Sequence, residues 1–127
     1  MSCSAANAVI DVIEEDNLAE NARVQGERLR AGLEELQKRY PKSIGDVRGK
    51  GLMQAIEIVV DEPGGDRTPD GALVARVFEA AKERGLLIGK GGLHGNVFRI
   101  APALTVTAQH IDEGLKLLGE AFAEVCS

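Results

Sequence analysis

Hydrophobic residues in the first 40 positions recur at intervals of three and four, the spacing of one face of an α-helix. Within residues 5–14 they spread around most of the helix circumference, so we expect this first helix to need a cover on several sides. A second helix is predicted to start at a cap supplied by Asp16 or Asn17 and to end near Tyr40. The residues on its predicted buried face are Leu18, Ala22, Leu29, Leu33 and Leu36.

The hydrophobic pattern changes at Ile44, where a glycine-containing stretch leads into the β-branched residues 56–60. Glycines at 45, 49 and 51 lie between these points, and the segment predicts two strands joined by a tight glycine turn. Residues 61–71 are polar and rich in glycine and proline, which predicts a surface loop.

A third helix is predicted from Pro69 to about Arg84. Thr68 followed by Pro69 is typical of a helix start, because the hydroxyl can cap the first turn and proline suits the first helical position. Gly85 stands where a left-handed cap would end the helix. The apolar residues expected on its buried face are Leu73, Val74, Val77, Phe78 and Ala81.

The last third of the chain predicts two further strands and a final helix. Residues 86–88 are predicted to be a short buried strand, the glycines between 89 and 95 a flexible hairpin loop, and residues 96–102 the next strand. Thr107 is the expected cap of a strongly amphipathic helix. The resulting order, αα-ββ-α-ββ-α, predicts a single α+β domain over residues 1–127, with its helices packed mainly on one face of a small sheet.

Composition narrows the class of protein. The chain has 127 residues, 44% of them hydrophobic and 28% charged, which is typical of one folded globular domain. A net charge of −5 and an aromatic content of 3% argue against nucleic acid and anionic membranes as partners. The N-terminal segment turns acidic too early for a secretory signal, and no apolar run approaches the roughly 20 residues that span a bilayer. We therefore expect a soluble, cytoplasmic protein.

Residue types that carry chemistry are present but not in catalytic arrangements. The glycine cluster matches neither the Walker A spacing nor the dinucleotide pattern, because Lys90 is followed by Gly91 and the sixth position from Gly89 is His94. His94 and His110 do not have the spacing of a metal pair, and the cysteines stand at opposite ends of the chain. None of the six lysines has an apolar context that would make it nucleophilic. We expect no metal site and no self-contained catalytic site.

Arg99 is the exception, because it lies inside the apolar strand VFRIAP between Phe98 and Ile100. On a strand its side chain faces away from both neighbours, and a guanidinium in such a setting needs a planar anionic partner. Two partners fit the sequence: an aspartate or glutamate of this chain in an internal ion pair, or the carboxylate of a bound ligand.

Three segments, SCSAANAVIDVIEEDNL, IGDVRGKGLMQAIEIV and RGLLIGKGGLHGNVFRIAPALTVT, resemble in order and spacing the C-terminal part of class III pyridoxal-phosphate-dependent aminotransferases. Within that family they are most similar to the branch of alanine–glyoxylate aminotransferase 2 and its bacterial relatives. The resemblance covers nearly the whole chain. It departs from the family at Met1, where Asn-Pro usually leads into the first helix, and at Ala103, where a second proline is common.

The resemblance implies a small C-terminal domain of a fold-type I enzyme, with a three- or four-stranded sheet covered by helices. In the family the Schiff-base lysine lies in a large domain that this chain does not contain, and a phosphate-contacting threonine of the neighbouring subunit lies just upstream of Met1. Arg99 falls on the arginine that binds the substrate carboxylate. The resemblance therefore implies a fragment of an aminotransferase whose parent enzyme uses pyridoxal phosphate, while this chain alone is expected to hold no cofactor and to be inactive.

Two other interpretations remain open at the level of the sequence. The chain could be a free-standing module for ligand binding or dimerisation, or a small enzyme in its own right, although no activated nucleophile or acid–base pair supports the latter. In the aminotransferase interpretation the partners are a small amino acid or 2-oxo acid in the parent enzyme and further copies of the chain, in a homodimer or another form of self-association. Residues 5–14 of the apolar first helix are expected either to drive such self-association or to be partly disordered.

Overall fold

The computed structural model describes residues 1–61 and 67–126, and within these ranges it contains four helices and five strands. The α+β class is confirmed, with one short strand more than the predicted order. The elements in chain order are α1 (Ser2–Glu15), α2 (Leu18–Arg39), β1 (Ile44–Lys50), β2 (Met53–Asp61), β3 (Arg67–Pro69), α3 (Gly71–Glu83), β4 (Gly89–Gly91), β5 (Val97–Ile100) and α4 (Ala108–Cys126).

The sheet is antiparallel, with the spatial order β1-β2-β5-β4 and the short β3 paired to the far end of β2. The predicted glycine turn joins β1 to β2, and Gly51 has a φ of +54°, a conformation that side-chain-bearing residues adopt only at a cost. On one face of the sheet Ile56, Ile58 and Phe98 are fully buried under α2, α3 and α4. This face and the helices on it form the core.

The predicted apolar faces of the helices are confirmed. On α2 the buried leucines are 18, 29, 33 and 36, and α3 and α4 bury the residues that their spacing indicates. Two glycines of α2 allow close packing that the pattern did not predict. A Cβ on Gly26 would lie 2.4 Å from the carbonyl carbon of Gly51, and one on Gly32 would lie 2.2 Å from Cδ1 of Leu115.

Helix ends confirm part of the predicted capping. Arg84 is the C-terminal cap of α3. The amides of Gly85 and Leu86 donate to the carbonyls of Lys82 and Ala81, respectively, which is a Schellman motif with Gly85 at φ +82°. At α4 the Thr107 hydroxyl accepts a hydrogen bond from the His110 amide, 3.3 Å away. Both caps depend only on residues within about one turn of the helix end, so the local sequence is enough to predict them.

The predicted start of α3 is wrong. Thr68 and Pro69 belong to β3, paired with Val60 and Val59, and the cap is Asp70, whose carboxylate accepts from the Leu73 amide at 2.8 Å. Pairing with the end of β2 keeps Thr68 and Pro69 extended, so the helix begins two residues later, at Gly71. The predicted loop 61–71 therefore includes a strand, and its residues 62–66 lie outside the described residues.

The predicted buried strand at residues 86–88 is also wrong. These residues have no regular structure, and Leu87 is 79% exposed. The strand forms instead at Gly89–Gly91, in the segment predicted to be a flexible loop, because these residues pair with Val97–Ile100. Backbone pairing outweighs the hydrophobic pattern at this position.

Helix α1 lies apart from the core. None of its residues is buried, and Val9, Ile10 and Val12 are each about half exposed. These three apolar side chains therefore face solvent in this chain. Among the described residues, none of the helices is both long enough and apolar enough to cross a membrane.

Candidate functional site

Arg99 lies on the open face of the sheet, opposite the helices. Its neighbours Phe98 and Ile100 point toward the core, whereas Arg99 is exposed. Directly across from it stand Ala55 on β2 and Gly89 on β4. Arg99 is thus flanked on both sides by residues with little or no side chain.

The Arg99 side chain lies against Gly89. The position of a Cβ on Gly89 would be 3.5 Å from the Nε of Arg99 and 3.6 Å from its Cβ. The absence of a side chain at residue 89 leaves the space in which the guanidinium stem lies.

The charge of Arg99 is not neutralised within the described part of the chain. No carboxylate of residues 1–60 or 67–126 lies within ion-pair distance of it. Arg48 on β1 pairs with Ala55 on the side away from Arg99, and its charge does have partners. Its Nη1 lies 2.8 Å from the carboxylate of Asp46 and 2.6 Å from that of Glu57. The hydrogen bonds that Arg48 donates to these two carboxylates raise the pKa of its guanidinium. Of the two predicted partners for Arg99, the internal ion pair is therefore not found in these ranges.

Arg99 borders an apolar groove of about 610 Å³. One wall is the segment after α3, with Leu86, Leu87 and Ile88, and the other is formed by residues 100–102 together with α2 and α4. The only polar side chains that line it, among the described residues, are those of Arg99 and His110. A guanidinium beside aliphatic walls can bind a carboxylate on a small, partly apolar molecule.

A hydrogen-bonded contact from α2 holds the segment that follows Arg99. The Nδ2 of Asn21 donates to the carbonyl oxygen of Leu104 at 2.6 Å and to that of Val106 at 3.1 Å. These bonds join two regions more than 80 residues apart and keep residues 101–106 beside the groove. Sequence reasoning did not single out Asn21, whose role depends on that long-range contact.

The other residues considered from the sequence do not assemble into a catalytic site in the described structure. His94 is exposed in the loop before β5, and the His110 ring is held by the Thr107 hydroxyl, 3.1 Å from its Nδ1. None of the groove-lining residues is a lysine. Cys3 and Cys126 are free thiols, and residues 1–61 and 67–126 contain no group of side chains arranged to hold a metal.

Gly89 is a site residue that sequence reasoning missed. The sequence predicts a flexible loop at this position, because a run of glycines has no hydrophobic period and no side chain from which a pairing register could be read. The signal that identifies it is its register opposite Arg99, which exists only in the folded sheet.

Comparisons with known proteins agree with this fold. A family model described as "Aminotransferase class-III" matches residues 1–122. The chain is 46% identical over 125 residues to 5-aminovalerate aminotransferase DavT of Pseudomonas putida, covering 98% of this chain and 28% of that protein. It is 44% identical over 112 residues to the mitochondrial alanine–glyoxylate aminotransferase 2 homolog 2 of Arabidopsis thaliana, covering 88% of this chain and 23% of that protein.

A solved structure gives the same result. An aminotransferase from Bacillus anthracis matches with a TM-score of 0.86 and 32% identity, over 96% of this chain and 28% of that one. Almost the whole of this chain is matched in both cases, but it spans only about 28% of the length of each of these two relatives. On the strength of the family model and the shared fold, this chain belongs to the class III aminotransferase family.

Proposed function

We propose that this chain is the C-terminal, substrate-recognising part of a pyridoxal-phosphate-dependent aminotransferase, and that Arg99 binds the substrate carboxylate. The enzyme would transfer an amino group between an amino acid or amine and a 2-oxo acid. The observation that carries the proposal is the guanidinium of Arg99, which has no carboxylate partner among the described residues and stands beside an apolar groove.

The physical argument concerns charge and shape. A guanidinium presents parallel N–H donors that match the two oxygens of a carboxylate, and this bidentate contact fixes the orientation of the bound molecule. Aliphatic walls beside a guanidinium lower the local dielectric constant, which strengthens that contact. Arg48 differs from Arg99, because its Nη1 already donates to the carboxylates of Asp46 and Glu57, which offset its charge.

The described residues do not fit the attachment of the cofactor. Pyridoxal phosphate acts as an electron sink on a lysine, and none of the residues lining the groove is a lysine. We assign the cofactor to the remaining part of a longer enzyme. Incubation of the chain with pyridoxal phosphate, borohydride reduction and mass spectrometry should yield no stoichiometric adduct at a single lysine.

The test of Arg99 uses the complete enzyme that carries this chain, with 5-aminovalerate and pentylamine as amino donors. These molecules differ in the carboxylate alone, and single-turnover reaction with the donor keeps any 2-oxo acid out of the measurement. Arg99→Ala should lower kcat/KM with 5-aminovalerate by a factor that corresponds to about 2 to 5 kcal/mol of lost transition-state stabilisation. It should change kcat/KM with pentylamine little. Arg99→Lys should recover part of the loss, because lysine keeps the charge without the planar fork.

Arg48→Ala is the matched control, since Arg48 stands on the same face across Ala55. It should change the reaction of both donors to the same extent. If Arg99→Ala also reduces kcat/KM equally for both donors, Arg99 supports the fold and the proposed role is wrong.

We also propose that α1 mediates self-association of the chain into a homodimer. Its Val9, Ile10 and Val12 are exposed without a cover, and apolar patches of this kind usually find a partner. In sedimentation experiments Ile10→Lys should shift the chain toward the monomer. Leu93→Lys is the control, because Leu93 is 95% exposed but lies outside α1. A wild-type chain that sediments as a monomer at all concentrations would contradict the proposal.

A further inference from the structure

Resting on the proposed role of Arg99, we propose that Gly89 is a positioning residue that sets the direction of the Arg99 guanidinium and thereby the preference for carboxylate substrates. Gly89 contacts no reacting atom in this proposal. It acts through Arg99, by leaving empty the volume that a side chain on β4 would fill.

The geometry of the pair carries the inference. Gly89 and Arg99 are directly opposed in the β4–β5 ladder, so a side chain on residue 89 would project on the same face as Arg99. Its Cβ would meet the Nε of Arg99 at 3.5 Å and the carbonyl oxygen of Arg99 at 3.2 Å. The Cβ alone just fits, with a slight shift of the strand. Any atom beyond Cβ competes with the guanidinium stem for the same space.

The position of Gly89 also explains where the guanidinium goes. Gly89 lines the groove together with Arg99, whereas Ala55, on the opposite side of Arg99, does not. With β4 free of side chain at this point, Arg99 lies over β4 and beside the groove. A bulky residue at 89 would push the guanidinium away from the groove wall.

The other glycine of β4, Gly91, has a different environment from Gly89. Gly91 stands on the same face of β4, two residues further on, and a Cβ there would meet no atom within 4 Å. Glycine in a strand is intrinsically unfavourable and often marks the close approach of another group. Such an approach is present at Gly89 and absent at Gly91.

The kinetic test compares Gly89→Leu, Gly89→Ala and the control Gly91→Leu in the complete enzyme. A displacement of about 1 Å in a positioning contact can cost about 100-fold in rate, so Gly89→Leu should lower kcat/KM for 5-aminovalerate by about that factor. It should leave kcat/KM for pentylamine nearly unchanged. Gly89→Ala should have a smaller effect of the same kind, and Gly91→Leu should preserve the preference for 5-aminovalerate.

A second measurement uses the 127-residue chain itself. In ¹⁵N-labelled protein the Nε–H resonance of Arg99, assigned by its loss in Arg99→Lys, should show a nuclear Overhauser effect to the α-protons of Gly89. This contact should persist in Gly91→Leu. Its absence from the wild-type chain would overturn the inference whatever the kinetics show.

The two proposals fail in different ways. If Arg99→Ala abolishes the preference for 5-aminovalerate but neither Gly89 variant changes it, the inference about Gly89 is wrong and the role of Arg99 stands. If Arg99→Ala affects both donors equally, the role of Arg99 in the proposed function is wrong, and the specificity role of Gly89 falls with it. A structural defect alone would lower kcat/KM for both donors in Gly89→Leu, and that result would also overturn the inference.

Discussion

The two faces of the sheet are built from neighbouring residues of the same strands, yet they have opposite properties. Toward the helices, Ile56, Ile58 and Phe98 are completely buried. On the other face Arg99 is exposed, and Met53 is 72% exposed. Because side chains alternate along a strand, Phe98 and Arg99 are adjacent in sequence but point in opposite directions.

This difference separates stability from recognition. Burial of aliphatic and aromatic side chains supplies most of the free energy of folding, and it is concentrated on the helix-covered face. Residues on the open face contribute little burial, so they can carry a charge that lacks a partner in the described chain. If stability and recognition are separated in this way, substitutions on the helix-covered face should lower the free energy of unfolding most, and substitution of Arg99 should lower it least.

Phe98→Ala should have the largest effect. The ring of Phe98 is fully buried and packs edge-on against Phe122 with centroids 6.4 Å apart. Truncating a buried phenylalanine typically costs about 3 to 5 kcal/mol, because hydrophobic burial is lost and a cavity remains. Urea unfolding followed by circular dichroism measures this loss in the free energy of unfolding. A loss below about 1 kcal/mol would mean that the covered face does not hold the fold together.

Gly26→Ala tests the close contact between α2 and the β1–β2 turn. The new Cβ would lie 2.4 Å from the carbonyl carbon of Gly51, and backbone atoms cannot move aside as a side chain can. Overpacking should destabilise the protein by about 1 to 3 kcal/mol, although alanine is the better helix former. Gly119→Ala on α4 is the control: its Cβ would meet only Cδ1 of Leu36, at 3.9 Å, and its melting temperature should not fall.

Asp112→Asn tests a charge on the helix side that does have a partner. Arg28 donates two hydrogen bonds to Asp112, of 2.7 and 2.6 Å, and this hydrogen bonding lowers the pKa of the Asp112 carboxyl. A lowered folded-state pKa stabilises the fold above the unfolded value of about 3.9 and loses that contribution as the pH falls through the folded value. The variant should therefore be less stable than wild type at pH 7 and equal to it in strong acid.

The control for this pH dependence is Glu113→Gln. Glu113 is exposed on the same turn of α4, and the described residues offer it no ion-pair partner. Its stability profile should run parallel to that of wild type. An Asp112→Asn deficit that persists below pH 3 would show that the pair acts through something other than charge.

Arg99→Ala should have the smallest effect on stability. Exposed side chains without partners usually change the free energy of unfolding by no more than about 0.5 kcal/mol. Chemical denaturation of the variant beside wild type measures this. A loss comparable to that of Phe98→Ala would break the comparison between the two faces, because Arg99 would then belong to the fold and not to recognition.

The hydrophobic pattern by itself determined the helices, the first hairpin and the buried faces. The family followed from a different signal, the resemblance of three motif-bearing segments to known aminotransferases. Such features depend on residues close in sequence: the Gly85 cap needs only the last turn of α3, and the leucines of α2 need only their spacing. Arg99 also stood out from the sequence alone, as a charge inside an apolar strand.

Only the tertiary structure showed which glycines make close contacts and which segments pair as edge strands. The extended β4 arises from pairing with β5, and Thr68 and Pro69 are held out of α3 by pairing with β2. Gly89 is significant because Arg99 lies against it, and Gly26 because Gly51 does. A glycine has no side chain to reveal its neighbour, and contacts between distant segments leave no local period. For that physical reason the arginine of the candidate site was visible in the sequence, whereas the residue that positions it became visible only in the fold.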